Sequence, residues 1–313
     1  MIPTTIPHGR TARRLEWSHL PAHIRALVEQ RCGSKVVTAE SQTSGFTPGF
    51  ASVLTCEDGT RHFVKAASAK AQRQFADAYR EEARKLAVLP AQAPAPRLLW
   101  ISEADDWVVL GLEYVESRQP HRPWRADDLE VVLNMLESMA ELLSPPPAGL
   151  SLSSFAHDFT SFPGYWDEIR RLRPNLPHHD EAAALAARFE EVAGGSTLVH
   201  TDVRDDNVLL RPDGTALLCD WNFPCVGAEW LDTVFMLVGP RGDGLDVETV
   251  LAERRLTRDV PAESIDAVIA LLVGYFFRQC EQPVPLTSPH LRELQRWEGE
   301  VCWDWLCERR NWR

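Results

Sequence analysis

The stretch Leu198-Val-His-Thr-Asp-Val-Arg-Asp-Asp-Asn-Val-Leu-Leu210, followed by Leu217-Leu-Cys-Asp-Trp221, decides how this chain is read. It sets a carboxylate, Asp202, five residues ahead of an amide, Asn207. A second carboxylate, Asp220, follows thirteen residues later at the end of a short apolar run. Part of this pattern has a plain structural explanation. Arg211-Pro-Asp-Gly214 is a good turn, and Val208-Leu-Leu and Ala216-Leu-Leu are good short strands on either side of it. A hairpin alone does not explain why His200, Asp202, Asn207 and Asp220 keep their mutual spacing.

Phosphoryl transfer does. It needs a carboxylate beside the attacking hydroxyl and oxygen ligands that hold magnesium on nucleotide phosphates. The order His-x-Asp-x4-Asn, apolar strand, turn, apolar strand, Asp supplies those parts at the spacing of a kinase catalytic loop. On these residues the chain resembles the aminoglycoside phosphotransferase family, small-molecule relatives of the protein kinases, and within it a bacterial subgroup of unknown substrate. The resemblance implies that Asp202 is the catalytic base and that Asn207 and Asp220 hold Mg2+ on ATP. Its specific motifs occupy 197–232, with weaker support from 41–115.

Composition narrows the alternatives. At 313 residues the chain is long enough for two modest lobes with a shared core. A net charge of −12 argues against a nucleic-acid partner, which requires a basic footprint. It is compatible with a cationic small molecule, although acidity also serves solubility. Seven scattered cysteines without a Cys-x-x-Cys pair indicate neither a zinc site nor a disulfide framework, and fit a reduced, cytoplasmic protein. No signal-peptide core opens the sequence. The longest apolar run, 267–277, is too short for a membrane span of about 20 residues.

Ahead of the decisive stretch, a polar lead passes into a helix-like segment from Pro21, with Ile24, Leu27 and Val28 on one face. Ser41-Gln-Thr-Ser-Gly45-Phe-Thr-Pro-Gly49 then lies between two strands. A loop with glycines at 45 and 49 can bring backbone N–H groups close to phosphates, because glycine removes the Cβ obstruction. The strand Arg61-His-Phe-Val-Lys65-Ala follows, then a helix over 71–89 with Glu82, Leu86 and Leu89 on its inward stripe. The resemblance implies that Lys65 grips the α- and β-phosphates and that Glu82 holds Lys65. Two further strands, 97–101 and 107–115, complete a sheet of about five antiparallel strands with one helix. The chain leaves it through Glu113-Tyr-Val-Glu116, which by resemblance is the hinge whose backbone, at Glu113 and Val115, meets adenine.

The expectation is therefore an α+β, bilobal, protein-kinase-like fold, with a nucleotide-binding lobe over 1–115 and a mainly helical lobe over 116–313. Helices are read over 127–143, 180–192, 262–280 and 289–309, with an irregular, aromatic-rich stretch at 151–177 that covers part of the acceptor site. Trp297, Trp303 and Trp305 read as packing residues. Arg204, two residues after the base, has two readings: a guanidinium that stabilises the transferring phosphoryl group, or a surface salt bridge to Asp205 or Asp206. Asp232 is either a helix cap or, as the resemblance implies, a support for the catalytic loop. No Ala-Pro-Glu follows Asp220, which argues against a regulated protein kinase. The activity expected is transfer of a phosphoryl group from ATP to a hydroxyl of a small acceptor: an aminoglycoside, another antibiotic, or a sugar-like or amino-alcohol metabolite. A non-catalytic binding protein that keeps the kinase fold is the alternative.

Overall fold

Five runs rich in β-branched and aromatic residues, separated by turn residues, build one antiparallel sheet in a computed structural model that describes residues 1–7, 9, 11–46 and 49–312. The strands are β1 (Val36–Ser41), β2 (Phe50–Cys56), β3 (Arg61–Ser68), β4 (Leu98–Ala104) and β5 (Trp107–Glu113), in the order β1-β2-β3-β5-β4. Phe50 pairs with Ala66 across the β2–β3 hairpin, and Lys65 pairs with Leu110 on β5. The hairpin turn is held by Asp58, whose Oδ1 accepts from the Thr60 N–H at 3.0 Å.

Alternate side chains point to opposite faces of a strand, and here a helix covers each face. The sheet therefore carries two helices rather than the one expected. Ile24 and Val28 of α1 (Ala22–Cys32), with Leu20, pack on Phe50, Leu54, Val64, Ala66 and Val109. Ala76, Tyr79 and Ala83 of α2 (Arg73–Leu86) pack on Ala67, Val108 and Leu110. Full burial of a Val, Leu, Ile or Phe side chain contributes about 1.5–3 kcal/mol, so packing rather than helix propensity holds α1 on the sheet. The outer strands β1 and β4 keep exposed residues, as sheet edges do.

The rest of the chain is mainly helical: α3 (Ala126–Leu142), α4 (Phe155–Asp158), α5 (Tyr165–Leu172), α6 (His179–Ala187), α7 (Phe189–Val192), α8 (Leu231–Gly242), α9 (Val247–Glu253), α10 (Ala262–Gln279) and α11 (Leu291–Arg310). Two small hairpin-like sheets lie among them, β6 (Thr197–Val199) with β9 (Cys225–Gly227), and β7 (Val208–Leu210) with β8 (Ala216–Leu218). From Ile265 to Gly274, α10 is buried on every side, as a helix apolar all round must be. It packs on α6 and α11, so it centres the helical part. No helix among the described residues is long and apolar enough to cross a membrane.

Two expectations change here. The helix read over 180–192 is two pieces, because Arg188 leaves helical geometry at φ −86°, ψ 2° as Phe189 turns into the core. The stretch 151–177 contains α4 and α5, which bury Phe155 and Trp166. Trp305 is fully buried with its Nε1 on Glu248, Trp297 donates to the Ile2 carbonyl, and Trp303 packs near Trp166 and Trp312. These three tryptophans are packing residues. No disulfide joins the cysteines among the described residues. The chain is thus α+β, an antiparallel sheet followed by a mainly helical part.

Candidate active site

Chain geometry at the β6–β7 connection explains why these residue types sit together. After β6 the backbone turns sharply through Thr201, whose φ of 66° is a strained conformation for a β-branched residue. Asp232, in the first turn of α8, holds that turn: its two carboxylate oxygens accept from the N–H groups of His200 at 2.7 Å and Thr201 at 2.9 Å. Asp232 is therefore the support for the loop and not a cap of its own helix. His200 fastens the other side. Its Nε2–H donates to the Cys219 carbonyl at 3.0 Å, which leaves Nδ1 to accept from the Asp202 N–H at 3.3 Å. One imidazole thus ties the segment before Asp202 to the residue before Asp220. Asp220 itself has a φ of 62°.

Both oxygens of Asp202 are held. Asn207 Nδ2 donates to Oδ2 at 3.0 Å and to the Asp202 carbonyl at 2.8 Å, and Arg204 Nε lies 3.1 Å from Oδ1. The carboxylate remains 37% exposed, on the wall of a cleft. Arg204 also reaches Asp206 at 3.2 Å and lies 5.4 Å from the ring centre of Phe46. Asp205 turns instead to Arg122, at 2.5 and 2.7 Å. The guanidinium of Arg204 is thus a largely buried bridge and not a surface salt bridge. Burial alone would lower its pKa, but Asp202 and Asp206 outweigh burial and raise it. Burial pushes Asp206 up to about 6 against the pull of Arg204.

Lys65 is 5% exposed and its ammonium meets three carboxylate oxygens: both of Glu82, at 2.8 and 2.9 Å, and Oδ1 of Asp220. Burial would depress the ammonium, yet Asp220 and Glu82 raise it. Burial would raise Asp220, yet Lys65 holds it below the ordinary carboxylate range. Lys85, next along α2, donates to the Asn222 carbonyl at 2.5 Å and ties the helix to the segment after Asp220.

Gly45 and Gly49 have φ of 83° and 134°, conformations that suit glycine. A Cβ at Gly49 would come within 3.1 Å of the Tyr79 hydroxyl and 3.2 Å of the Ala66 carbonyl. Thr47 and Pro48, between Phe46 and Gly49 in the sequence, lie outside the described residues. At the strand exit, the Glu113 carboxylate is taken by Arg97, whose Nε donates at 2.6 Å and whose backbone N–H donates at 3.0 Å. The Val115 carbonyl accepts from Ser117 Oγ at 3.2 Å.

Beside Asp202 opens a cavity of roughly 830 Å³, bounded by 151–162, the loop 201–204, α10 and α11. Phe159, Phe162, Tyr275 and Phe276 give it aromatic walls, and Asp158 and Glu298 add carboxyl groups. Glu298 was not visible to sequence reasoning. It is 7% exposed, and among the described residues it makes no hydrogen bond or ion pair. Burial pushes it up to about 8, against the pull of Arg204. A carboxylate on the apolar stripe Leu294–Trp297–Val301–Trp305 was the available signal. Asp167 and Glu168 do not line the cavity, and Glu168 pairs with Arg278 at 3.4 Å.

Comparison with known proteins agrees with this geometry. The phosphotransferase enzyme family, APH, matches residues 53–263. Among curated proteins no sequence matches. The fold is similar to that of choline kinase LicA from Streptococcus pneumoniae, at 14% identity and a TM-score of 0.58 over 90% of this chain and 100% of that one; LicA has also been solved in complex with AMP. It is similar to an aminoglycoside phosphotransferase from Alicyclobacillus acidocaldarius, at 15% identity and a TM-score of 0.54 over 88% and 92%. A putative fructosamine-3-kinase from Haemophilus somnus gives 13% and 0.56 over 89% and 96%. The family match spans more than half of the chain and includes every residue of the Lys65, Asp202 and Asp220 clusters: the chain belongs to the phosphotransferase enzyme family, and is a kinase-like small-molecule phosphotransferase.

Proposed function

We propose that the chain is an ATP- and magnesium-dependent O-phosphotransferase whose acceptor is a small hydroxylated molecule carrying a cationic amine. The observation that carries the acceptor class is Glu298, a buried carboxyl without a partner, in an aromatic-walled cavity shared with Asp202. A carboxylate is a poor resident of such a site unless a cation joins it, and aromatic faces attract cations as well.

The donor set fits a hard divalent cation. Asn207 commits its amide nitrogen to Asp202, which leaves its amide oxygen for a ligand, and Asp220 adds carboxylate oxygens. Bound magnesium neutralises charge on the nucleotide phosphates, and ATP supplies the phosphoryl group. The protein's own residues do the positioning. Lys65, held by Glu82, presents its charge at the floor of the cleft between the sheet lobe (1–115) and the helical lobe (116–313). The hinge at Glu113 and Val115 offers backbone groups to adenine, and the loop of Gly45 and Gly49 lies over the phosphates. Asp202, fixed through both oxygens, accepts a hydrogen bond from the acceptor hydroxyl and takes its proton. The grip of Arg204 on Asp202 makes it the residue that aims the base. Arg204→Ala should lower kcat about 10²-fold with little change in acceptor KM, the scale of a lost transition-state interaction; a change below about fivefold would reduce Arg204 to packing.

The test is ADP release with size-matched acceptors: a quaternary ammonium alcohol, whose charge does not titrate, against neutral polyols. Wild-type kcat/KM for the cationic alcohol should rise with pH as Glu298 ionises through about 8, because kcat/KM reports the free enzyme. Glu298→Gln should cost at least about tenfold for that acceptor and flatten the profile. A preference for neutral polyols, unchanged by Glu298→Gln, would overturn the amine assignment. Nucleotide binding with no transfer to any acceptor would favour a non-catalytic binding protein.

A further inference from the structure

The polar lead of the chain contacts both the helical part and the glycine loop. The Ile2 N–H donates to the Gly242 carbonyl on α8 at 2.8 Å, and Thr5 reaches Glu293 on α11 at 2.7 Å. Further on, the lead crosses to the glycine loop. The N–H groups of Thr11 and Ala12 donate to the Thr43 carbonyl at 2.9 and 2.8 Å, Thr11 Oγ1 donates to the Gly45 carbonyl at 2.8 Å, and Arg14 donates to the Ser44 carbonyl at 2.9 Å. The Arg13 N–H meanwhile donates to the Thr287 carbonyl at 2.8 Å, and Ser288 donates to the Phe46 carbonyl at 2.7 Å. Four consecutive loop carbonyls, 43–46, are thus occupied from one side. Their N–H groups find no acceptor among the described residues, the arrangement in which successive amides receive an anion.

Arg14 stands at this loop with a charge. Its guanidinium lies 3.4 Å from where a Cβ on Gly45 would sit. It is within electrostatic reach of both the Asp220 carboxylate and the Tyr79 hydroxyl. That hydroxyl is fully buried, has no hydrogen-bond partner and faces the underside of the loop at Gly49. The ammonium of Lys65 is surrounded by Glu82 and Asp220, and Arg204 is shared by Asp202 and Asp206. Magnesium held at Asn207 and Asp220 would offset part of the phosphate charge, and Arg14 adds positive charge on the side of the glycine loop.

On the reading of the cleft as a nucleotide site, we propose that Arg14 is a phosphate-binding residue, delivered to the glycine loop by the N-terminal lead, with the Tyr79 hydroxyl completing the anion site beneath it. Lys65 then serves one side of the phosphate chain and Arg14 the other. Calorimetric titration of the full chain with a non-hydrolysable ATP analogue, ADP and adenosine tests this without turnover. Arg14→Gln should weaken the triphosphate by about tenfold or more, the scale of a charge-assisted hydrogen bond, and leave adenosine within about twofold. Arg14→Lys should recover part of the loss, while Arg13→Gln, whose exposed side chain is not part of the site, should bind like wild type. Equal losses for the triphosphate and adenosine would mean that the residue only shapes the loop, and would overturn the assignment. So would a triphosphate affinity unchanged in Arg14→Gln, or an equal loss in Arg13→Gln. A wild-type chain that binds no nucleotide would instead overturn the reading of the cleft, and the role of Arg14 with it.

Discussion

Asp202→Asn is expected to lower kcat by about 10²–10⁴-fold, the range that a positioned general base contributes, with nucleotide affinity within about twofold of wild type. The substitution keeps shape and one acceptor oxygen, so it removes basicity with little change in volume. It also disturbs a defined geometry. Asn207 Nδ2 donates to one oxygen of Asp202 and the Arg204 guanidinium lies as an ion pair against the other, and an amide offers one acceptor oxygen and no charge. Either Asn207 or Arg204 then faces an N–H group. Because Asp202 lines the aromatic-walled cavity and makes no contact with Lys65, the loss is expected in the chemical step. Single-turnover kinetics at saturating nucleotide measure that step, and a thermal midpoint near wild type shows that the fold is kept. Near-native phosphotransfer by the variant would remove Asp202 from the role of base.

The centre of this site was legible in the sequence because it is built from local geometry. His200, Asp202 and Asn207 lie on one loop, and Asp220 lies across one short hairpin from them, so the backbone fixes their relations and the spacing survives as a motif. The link between Lys65 and Glu82 was legible for a similar reason: strand β3 is followed directly by α2, and Glu82 shares the inward stripe of that helix with Tyr79 and Leu86. The sheet followed from alternation and turn residues. What stayed hidden depends on contacts between distant segments. Glu298 reaches the cavity of Asp202 only because α11 packs along α10. Arg14 sits in a polar lead with no periodicity, and its meaning appears only once that lead is seen crossing from α8 to the glycine loop. Arg204 was readable in position but not in environment. The sequence offered Asp205 and Asp206 as partners; the fold keeps Asp206, gives Asp205 to Arg122 and adds Asp202 on the other side of the guanidinium.

Lys65→Met should both abolish measurable turnover and destabilise the chain by about 3–5 kcal/mol, the usual cost of removing one partner from a buried ionic cluster. Methionine fills the volume of the lysine stem but leaves Glu82, 1% exposed, beside Asp220 with no ammonium between them. The pH dependence separates this cause from simple misfit. In the wild type, Lys65 holds Asp220 below its ordinary value despite burial. Asp220 therefore contributes stability that is present above the unfolded pKa and lost as pH falls through the folded one. Without Lys65, burial meets only the weaker pull of Arg14 and His200 on Asp220 and of Lys85 on Glu82, so Asp220 rises and Glu82 rises further. For Asp220 the contribution then reverses, and for Glu82, already raised by burial in the wild type, it grows: both favour the fold at low pH and are lost as pH rises through the raised values. The stability difference between wild type and variant, measured by urea denaturation, should thus be larger at pH 8 than at pH 5. Adding Glu82→Gln to Lys65→Met should recover part of the loss at pH 8 without restoring turnover, since the ammonium of Lys65 is still missing. An equal deficit at both pH values, or no recovery in the double variant, would show that the three charges are screened by solvent and do not act as one cluster.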